Sequence, residues 1–361
     1  MEIKSLHLQN FRNYPELFIE FDEKTNIIYG DNAQGKTNIL EAIYLSSTSR
    51  SHKGSKDKEM IRFGEEEAHI KMIICRNGID HRIDLHIRKQ KSKGIAIDGL
   101  SIRKASELFG LIHVIIFSPE DLSMIKNGPA ERRRFMDLEL CQLDKLYTSE
   151  LADYNKVLAD RNRMLKDLWV KPEYEEILPL YDIKLVNFGK NIIAAREQFI
   201  RKLNEIVREI HFSLTGGKEE LVIAYEPNVT ADRFEEELMR GMERDRYQKV
   251  TLTGPHRDDI CFLSNGIDLR KYGSQGQQRS AALSLKLAEI ELVKSLSREY
   301  PVLLLDDVLS ELDSSRQENL LGRINHIQTI MTCTGLDEFV RNRLAVNKIF
   351  HVMDNKVGGY Q

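Results

Sequence analysis

The feature that most constrains this chain is a glycine-rich loop with the pattern GxxxxGK[ST]. Its residues are Gly30, Asp31, Asn32, Ala33, Gln34, Gly35, Lys36 and Thr37. The loop follows a short apolar run and precedes a helical pattern, and its glycines let several backbone N–H groups point at one anion. The helix that follows adds the positive end of its dipole. The pattern predicts a nucleotide site in which Lys36 reaches the β- and γ-phosphates and Thr37 ligates Mg²⁺.

A second part of this site is predicted at the carboxyl end of a later apolar strand, residues 302–305. Asp306 and Asp307 follow that strand directly. We expect Asp306 to hold Mg²⁺ through water, and Asp307 to orient or deprotonate the water that attacks the phosphate. A buried strand that runs into an exposed Asp-Asp turn is the alternative. ATP and Mg²⁺ are the predicted cofactors, and Lys36 and Asp307 are the predicted catalytic residues.

The spacing of apolar residues predicts an α/β fold that is interrupted by helices. Short strands with hairpin turns at Asn77-Gly78 and Asp98-Gly99 predict an antiparallel β subdomain in the first third of the chain. Residues 130–213 have a helical period, which predicts two antiparallel helices with a reversal around Pro172 and Pro179. Breaks in the heptad pattern favour a packed hairpin over a projecting coiled-coil arm. Strand patterns return from Glu219 onward.

These patterns predict one nucleotide-binding lobe that is split by an insertion. Its N-terminal half, the helical insertion lobe and its C-terminal half are placed at residues 1–125, 126–215 and 216–361.

Composition excludes some classes of protein. Lys and Arg number 53 and Asp and Glu number 56, so the net charge is −3, which argues against a uniformly basic nucleic-acid coat but not against a local basic surface. The four cysteines are scattered without a CxxC pair, which argues against a zinc site or a disulfide framework. The sequence has neither a secretory signal nor an apolar run near the ~20 residues that cross a bilayer. We therefore expect a cytoplasmic protein with no membrane partner.

Two local basic stretches are candidate contacts with nucleic-acid phosphates. The first contains Arg50 and Lys53, and the second contains Arg88, Lys89, Lys91 and Lys93 across the second predicted hairpin. Such contacts would read phosphates rather than bases. A solvated hairpin face is the alternative.

A loop before the helical stretch 279–296 has a third pattern, which contains Ser274, Gly276 and Gln277. Ser274 as an ordinary helix N-cap is one interpretation, and a second phosphate-contacting helix N-terminus is the other. The SQGQ segment, the strand that ends in Asp306-Asp307, and the segment that ends in Asp313 resemble the signature, Walker B and D-loop of ABC-type ATPases. The helical gap between the phosphate loop and the signature is similar to that of the SMC-type branch.

Within this branch the chain resembles the RecF family of bacterial recombination mediators. The motifs that carry the resemblance stand in the expected order, and they are NFRNY at 10–14, GDNAQGKTN at 30–38, FSPED at 117–121, GPHRDD at 254–259 and YGSQGQ at 272–277. Two roles stay open: Arg12 contacts nucleotide or DNA, or caps a strand, and residues 256–259 have a function or form a polar turn with internal ion pairs.

The resemblance implies a P-loop NTPase with an ABC/SMC-type ATPase head that forms an ATP-dependent homodimer. Ser274 and Gly276 would then contact the γ-phosphate held by the other protomer, Gln277 would support that loop, and Asp313 would belong to the D-loop. The implied function is recombinational DNA repair and replication-fork maintenance. The protein would bind single-stranded, gapped or duplex DNA, act with RecR and RecO to load recombinase, and support the SOS response.

Three departures from the ABC pattern predict slow hydrolysis, and we expect a slow, DNA-stimulated ATPase that acts as a switch. Asp307 replaces the usual Glu, the segment at 117–121 lacks a Q-loop glutamine, and Thr332-Cys333-Thr334 lacks a switch histidine. The alternatives are the ATPase subunit of a membrane transporter and an SMC-like structural DNA clamp without a mediator role. A nuclease would need an added acidic metal-binding domain, so no nuclease activity is expected.

Overall fold

The structure is a computed structural model that describes residues 1–335 and 346–360. The chain forms two compact units: the first contains Met1–Leu122 and Lys286–Gln361, and the second contains Ser123–Leu285. The strands are β1 (Glu2–Phe11), β2 (Tyr14–Glu20), β3 (Thr25–Tyr29), β4 (Glu67–Arg76), β5 (Ile79–Arg88), β6 (Lys91–Ile97), β7 (Leu100–Ser101), β8 (Val114–Phe117), β9 (Leu221–Glu226), β10 (Asp259–Ser264), β11 (Ile267–Asp268), β12 (Val302–Asp306), β13 (Thr329–Cys333), β14 (Lys348–Met353) and β15 (Lys356–Tyr360). The helices are α1 (Lys36–Thr48), α2 (Pro119–Ser123), α3 (Pro129–Leu143), α4 (Lys145–Asp167), α5 (Tyr174–Leu214), α6 (Phe234–Arg240), α7 (Met242–Gln248), α8 (Leu269–Tyr272), α9 (Gln275–Ser297) and α10 (Ser314–Ile324).

The first unit contains an antiparallel sheet in the order β2-β1-β4-β5-β6-β7. Both predicted hairpin turns are present, because Arg76 pairs with Ile79 and Ile97 pairs with Leu100. The turn residues between them have positive φ angles, as a two-residue hairpin turn of the I′ type requires. Alternate side chains of β4 are buried, so one face of this sheet packs on the core and the other is solvated.

The same unit contains a second sheet in the order β15-β14-β3-β13-β12-β8. All its strands except β15 run parallel to their neighbours, and β8 and β12 are buried along their whole length. One hydrophobic cluster includes side chains from both sheets and from α1. Because parallel strands end at the same edge, the ends of β3 and β12 lie on one side of the sheet. Both halves of the predicted nucleotide site follow these two strands.

The second unit contains three long helices, α3, α4 and α5, and a sheet in the order β11-β10-β9. Helix α5 packs against α4, β9 and α6, which makes the helical region part of a packed unit. The predicted second boundary at residue 215 differs from the division seen here, because residues 216–285 belong to the second unit. The physical reason is that β9 packs on α5, while β10 pairs with β9 and packs on α3.

The predicted reversal around Pro172 and Pro179 is wrong in one respect. Residues 168–173 connect α4 to α5, but Pro179 lies inside α5. As the sixth residue of α5, Pro179 removes the hydrogen bond that its N–H would have donated to the carbonyl of Glu175, and its ring crowds that carbonyl. Leu178, the residue before it, is buried in a small cluster with Met164 and Leu165, and this packing holds the helix together across the proline. Helix α5 is consequently 41 residues long.

Among the described helices, none has the length and apolar character that crossing a bilayer would require.

Substitution of Gly189 in α5 tests how tightly the second unit is packed. An added Cβ would collide with the ring of Phe234 and lie 3.1 Å from the ring of Tyr154. We expect Gly189→Ala to lower the free energy of unfolding by about 1–3 kcal/mol, although alanine is the better helix former. The matched control is Gly322→Ala in α10, where no atom lies within 4 Å of the new Cβ, and which we expect to be neutral or up to ~1 kcal/mol stabilising. Urea unfolding followed by circular dichroism measures both, and equal effects of the two substitutions would contradict this packing argument.

Candidate nucleotide-binding site

The phosphate loop lies between β3 and α1 in the first unit. Gly35 caps the N-terminus of α1 with a φ of +102°, a conformation that favours glycine. A Cβ at this position would also collide with the side-chain amide of Asn13. The loop therefore requires glycine at this position for its backbone angle and for its close contact with the β1–β2 turn.

Lys36 runs back along the loop. Its side-chain amine donates hydrogen bonds to the carbonyls of Gly30 (2.6 Å) and Asp31 (2.8 Å), and the residue is buried. These bonds hold the ammonium at the concave side of the loop, where the sequence pattern predicts the phosphates.

The two predicted halves of the site meet at Thr37 and Asp306. The Thr37 hydroxyl donates a 2.8 Å hydrogen bond to Oδ1 of Asp306, which is itself buried at the end of β12. Thr332 on β13 donates to the same oxygen at 2.8 Å. Hydroxyl and carboxylate oxygens are the donors that Mg²⁺ prefers, so Thr37 and Asp306 suit this cation. The bond also shows that the apolar strand 302–305 ends beside the phosphate loop, as the sequence predicts.

Asp307 has a constrained backbone. Its φ is +54°, its N–H donates to the Thr332 hydroxyl (3.0 Å), and its carbonyl accepts from the Ser310 hydroxyl (2.7 Å). Burial raises the pKa of the Asp307 carboxyl above its ordinary value; the Lys36 ammonium opposes this rise, and the Asp306 and Glu311 carboxylates add to it. A carboxylate with a raised pKa is a better proton acceptor near neutral pH.

Thr332 is a site residue that the sequence pattern did not reveal. The segment that contains it stood out only because it lacks a histidine. In the structure its hydroxyl links Asp306 to the N–H of Asp307, and this determines where the two carboxylates lie. The only signal in the sequence would have been a residue with a hydroxyl side chain on β13, the strand between β3 and β12.

Two turns hold the phosphate loop from outside. Asn13, in the β1–β2 turn, donates to the carbonyl of Gln34 (3.0 Å) and accepts from the side chain of Asn38 (2.8 Å). In the β14–β15 turn, Asn355 contacts the Asn13 amide, and the N–H of Asp354 donates to the Gln34 side chain (2.9 Å). Asn13 belongs to a motif that the sequence singled out, whereas residues 354 and 355 gave no signal.

Arg12 has a structural partner. Its guanidinium forms two hydrogen bonds, of 2.7 and 2.8 Å, with the carboxylate of Glu41, a fully buried residue of α1. The Ser51 hydroxyl donates to the same carboxylate at 2.5 Å. The pair ties the β1–β2 turn to α1, a role different from both the nucleotide or DNA contact and the strand cap that the sequence left open. Burial alone would raise the pKa of Glu41, but the hydrogen bonds from Arg12 and Ser51 outweigh it and leave the pKa below the ordinary value of 4.5.

This buried pair predicts a dependence of stability on pH. A lowered pKa in the folded state means that the Glu41 carboxylate stabilises the fold above its ordinary value of 4.5, and that this stabilisation is lost as the pH falls through the folded-state value. We expect Glu41→Gln to lower the free energy of unfolding by about 1–3 kcal/mol at neutral pH, and by less as the solution becomes acidic.

Urea unfolding at a series of pH values measures this effect. The control is Glu66→Gln, whose carboxylate is 75% exposed and which we expect to change stability by less than about 0.5 kcal/mol. A difference between wild type and Glu41→Gln that stays constant over the whole acid range would show that the carboxylate is not the stabilising group.

The signature residues lie in the second unit. Ser274 is exposed at the start of α9; its N–H donates to the side chain of Gln277 (3.0 Å), whose own N–H donates to the Ser274 hydroxyl (3.2 Å). These reciprocal bonds form a capping box, so the N-cap interpretation is correct for the isolated chain. Gly276 lies in the first turn of the same helix. An exposed, capped helix N-terminus is also suited to an anion, so both interpretations of Ser274 are compatible with this geometry.

Asp313, the predicted D-loop residue, caps α10 in the first unit. Its side chain accepts from the N–H of Arg316 (2.9 Å) and pairs with the guanidinium of the same residue. These capping bonds neither support nor contradict the predicted D-loop role of Asp313.

Residues 256–259 belong to a buried polar network of the second unit. Asp258 is fully buried and binds Arg196 (2.8 Å), while Asp259 binds Arg132 (2.5 Å). His256 interacts with the hydroxyl of Tyr154 (2.7 Å), and burial lowers its pKa to about 4. The ion pairs of this stretch therefore run to arginines of α3 and α5, whereas the polar-turn interpretation expected pairs within the stretch itself.

The two basic stretches come together in the first unit. The Lys93 ammonium donates to the carbonyl of Ser49 (2.5 Å) and binds Asp57 (3.0 Å), which joins β6 to the segment after α1. Lys89 pairs with Glu66 at 2.8 Å. Arg50, Lys53 and Lys91 are exposed, and Arg88 is partly buried. Lys93 is therefore engaged within the protein, and the exposed residues are the better candidates for contact with phosphates.

Comparisons with known proteins agree over almost the whole chain. The family model described as RecF/RecN/SMC N terminal domain matches residues 2–356. The DNA replication and repair protein RecF of Agathobacter rectalis is 58% identical over 357 residues, and that of Lachnospira eligens is 57% identical over 359 residues, with 99% of both chains covered in each case.

Solved structures give the same result for the fold. One described as "Structure of the recombination mediator protein RecF-ATP in RecFOR pathway" has a TM-score of 0.93 and 34% identity, and the match covers 100% of this chain and 98% of that one. An Smc head domain derived from Pyrococcus furiosus has a TM-score of 0.57 at 15% identity, with 100% and 96% of the chains covered, which is a likeness of fold alone. The predicted fold class, a P-loop NTPase with an ABC/SMC-type ATPase head, is confirmed.

Proposed function

The chain belongs to the RecF family of bacterial DNA replication and repair proteins, and from this premise we propose that it is an ATP-gated, DNA-binding dimer of recombinational repair. The observation that carries the proposal is the meeting of Lys36, Thr37, Asp306 and Asp307 in one site of the first unit. Family membership also favours this function over that of a transporter ATPase subunit or of a clamp without a mediator role.

We propose that ATP binds with its phosphates against the loop at residues 30–37. Lys36 would bind the β- and γ-phosphates, and Thr37 and Asp306 would hold Mg²⁺. Asp307, with its raised pKa, would accept the proton of the attacking water. The Asp307 side chain is shorter than that of the usual glutamate. The segment that begins at Thr332 lacks the switch histidine of other ABC-type ATPases. Both features support slow hydrolysis that resets a switch.

The dimer is proposed to close on ATP because the γ-phosphate supplies contacts that ADP lacks. In the closed dimer, Ser274 and Gly276 of one protomer would contact the nucleotide of the other, with Gln277 holding the loop and Asp313 close to the shared site. The exposure of Ser274 at the N-terminus of α9 supports this role, since a residue that reaches a partner has to be accessible in the single chain.

Sedimentation with ATP, with ADP and without nucleotide tests the dimer. We expect ATP alone to produce dimers, and Ser274→Arg to raise the dimer dissociation constant at least ~100-fold, about 3 kcal/mol, because it places an unpaired charge against the partner. Ser213→Arg, the same change at an exposed serine near the end of α5, is the control and should dimerise like wild type. Dimerisation of Ser274→Arg at the wild-type concentration would overturn the proposed interface.

DNA is the proposed macromolecular partner, and the exposed basic residues Arg50, Lys53 and Lys91 are proposed to bind its phosphates. They lie on segments that Lys93 joins, so they can act as one surface. Phosphate contacts of this kind release counterions, which makes affinity fall steeply with salt.

A salt series of duplex-DNA binding in the presence of ATP tests this surface. We expect the triple variant Arg50→Ala, Lys53→Ala, Lys91→Ala to reduce the slope of log affinity against log salt by about 2–3, since each lost contact removes ~0.9. The control removes three exposed cations of the second unit, Arg163, Lys166 and Lys171. Equal salt slopes for the two triple variants would show that DNA binds to another surface. If ATP still changes DNA affinity in Lys36→Ala, the proposed coupling between ATP binding and DNA binding is overturned.

We further propose that this chain acts with RecR and RecO to load recombinase and supports the SOS response. The support is that the solved relative is described as a recombination mediator in the RecFOR pathway.

A further inference from the structure

The solvated face of the antiparallel sheet holds a group of metal-ligating side chains that the nucleotide site does not use. His69 on β4 and His86 on β5 are directly opposite each other in the strand register, and their rings stack with centroids 4.0 Å apart. Glu67 lies on the same face, two residues before His69. Its carboxylate is 2.8 Å from Nε2 of His86 and 3.7 Å from Nε2 of His69.

We propose that Glu67, His69 and His86 form a binding site for a divalent transition metal, with Zn²⁺ as the expected ion. One ligand atom from each residue lies within 4.8 Å of the other two. Tetrahedral zinc, with Zn–N bonds of about 2.0–2.1 Å, needs donors separated by roughly 3.3 Å, a distance that small side-chain rotations can reach. Within the part of the chain that the structure describes, no other group of three such residues meets this test.

The donor set selects the kind of metal. Two imidazoles and one carboxylate suit zinc and its neighbours in the first transition row, whereas Mg²⁺ prefers oxygen ligands alone. The site is thus chemically distinct from Thr37 and Asp306. Three protein ligands leave one tetrahedral position for water or for an external ligand. The scattered cysteines exclude only a zinc site with thiolate ligands. Strand pairing brings the two histidines together without any cysteine.

The sheet holds the ligands in place before a metal arrives. Strand pairing fixes the two histidine Cα positions, so only side-chain torsions have to change on binding. On β6, the residue opposite His86 is Gly94, whose missing side chain leaves space beside the imidazole. On β1, the residue opposite His69 is the uncharged Gln9.

Charged side chains of both signs surround the site. Arg88 is opposite Glu67, and Lys71, the next residue of β4 on this face, is opposite Asp84. Asp84 also pairs with Arg82 at 2.8 Å, so the three cations Arg88, Lys71 and Arg82 accompany the carboxylates of Glu67 and Asp84 on this face. A bound metal would cross-link β4 to β5, and it would add positive charge on the same sheet as Lys89 and Lys91 of the β5–β6 connection.

Titration of the full-length, chelator-treated protein with Zn²⁺ tests the site. The measurement is isothermal calorimetry in millimolar Mg²⁺, which keeps zinc from the oxygen ligands of the nucleotide site. We expect one high-affinity zinc per chain, binding at least ten-fold weaker in His69→Asn, His86→Asn and Glu67→Gln, and a zinc-dependent rise in melting temperature that these variants lose. Co²⁺ in place of zinc should give the intense visible absorption of a four-coordinate complex.

The chain offers matched controls in two histidines that each pair with a single carboxylate on the same sheet, His7 with Glu16 and His81 with Asp98. His7→Asn and His81→Asn should leave zinc affinity unchanged. Circular dichroism without metal confirms that each variant is folded. Zinc affinity that is equal in wild type and in the His69→Asn, His86→Asn double variant would overturn the proposal, and so would the absence of binding at millimolar zinc.

Discussion

The hydrogen bond between the Thr37 hydroxyl and the Asp306 carboxylate is the contact on which the nucleotide site depends. It joins residues 269 positions apart. Strand β13 lies between β3 and β12, and its Thr332 completes the connection by binding Asp306 and the N–H of Asp307. The site can therefore form only when three parallel strands are in register, because a slip of one residue would turn these side chains to the opposite face. The chemistry of the loop is local, but its geometry is a property of the whole parallel sheet.

Sequence patterns predicted the parts of the fold whose information is local. Glycine backbone angles determine the phosphate loop, and turn propensity determines the Asn77-Gly78 and Asp98-Gly99 turns. A run of apolar residues determines the buried strand before Asp306. Pro179 was misread because local propensity counts the lost hydrogen bond but not the distant packing of Leu178 that outweighs it. The division of the chain after residue 285, which differs from the predicted boundary at 215, has a similar cause, since β9 packs on α5.

Partners that meet only through tertiary structure could not be read from the sequence. Glu41 is the one acidic residue of α1, and only the fold shows that Arg12 neutralises it. Arg161, fully buried, is matched by Asp182 at 2.6 Å and Asp245 at 2.8 Å from different helices of the second unit. Removing one member of such a set leaves an uncompensated buried charge, so these residues form interdependent groups. Sequence spacing contains no signal for such groups, because each member is unremarkable by itself.

The two turns that grip the phosphate loop have a consequence for protein synthesis. Asp354 holds Gln34 across 320 positions of the chain, and Asn355 meets Asn13 across 342. During translation the phosphate loop is synthesised early, whereas the β14–β15 turn is synthesised much later. In a nascent chain the β1–β2 turn can contact the loop early, whereas the contacts from Asp354 and Asn355 form only after the later turn has emerged. The full set of contacts around the loop is thus assembled only after synthesis has passed residue 355.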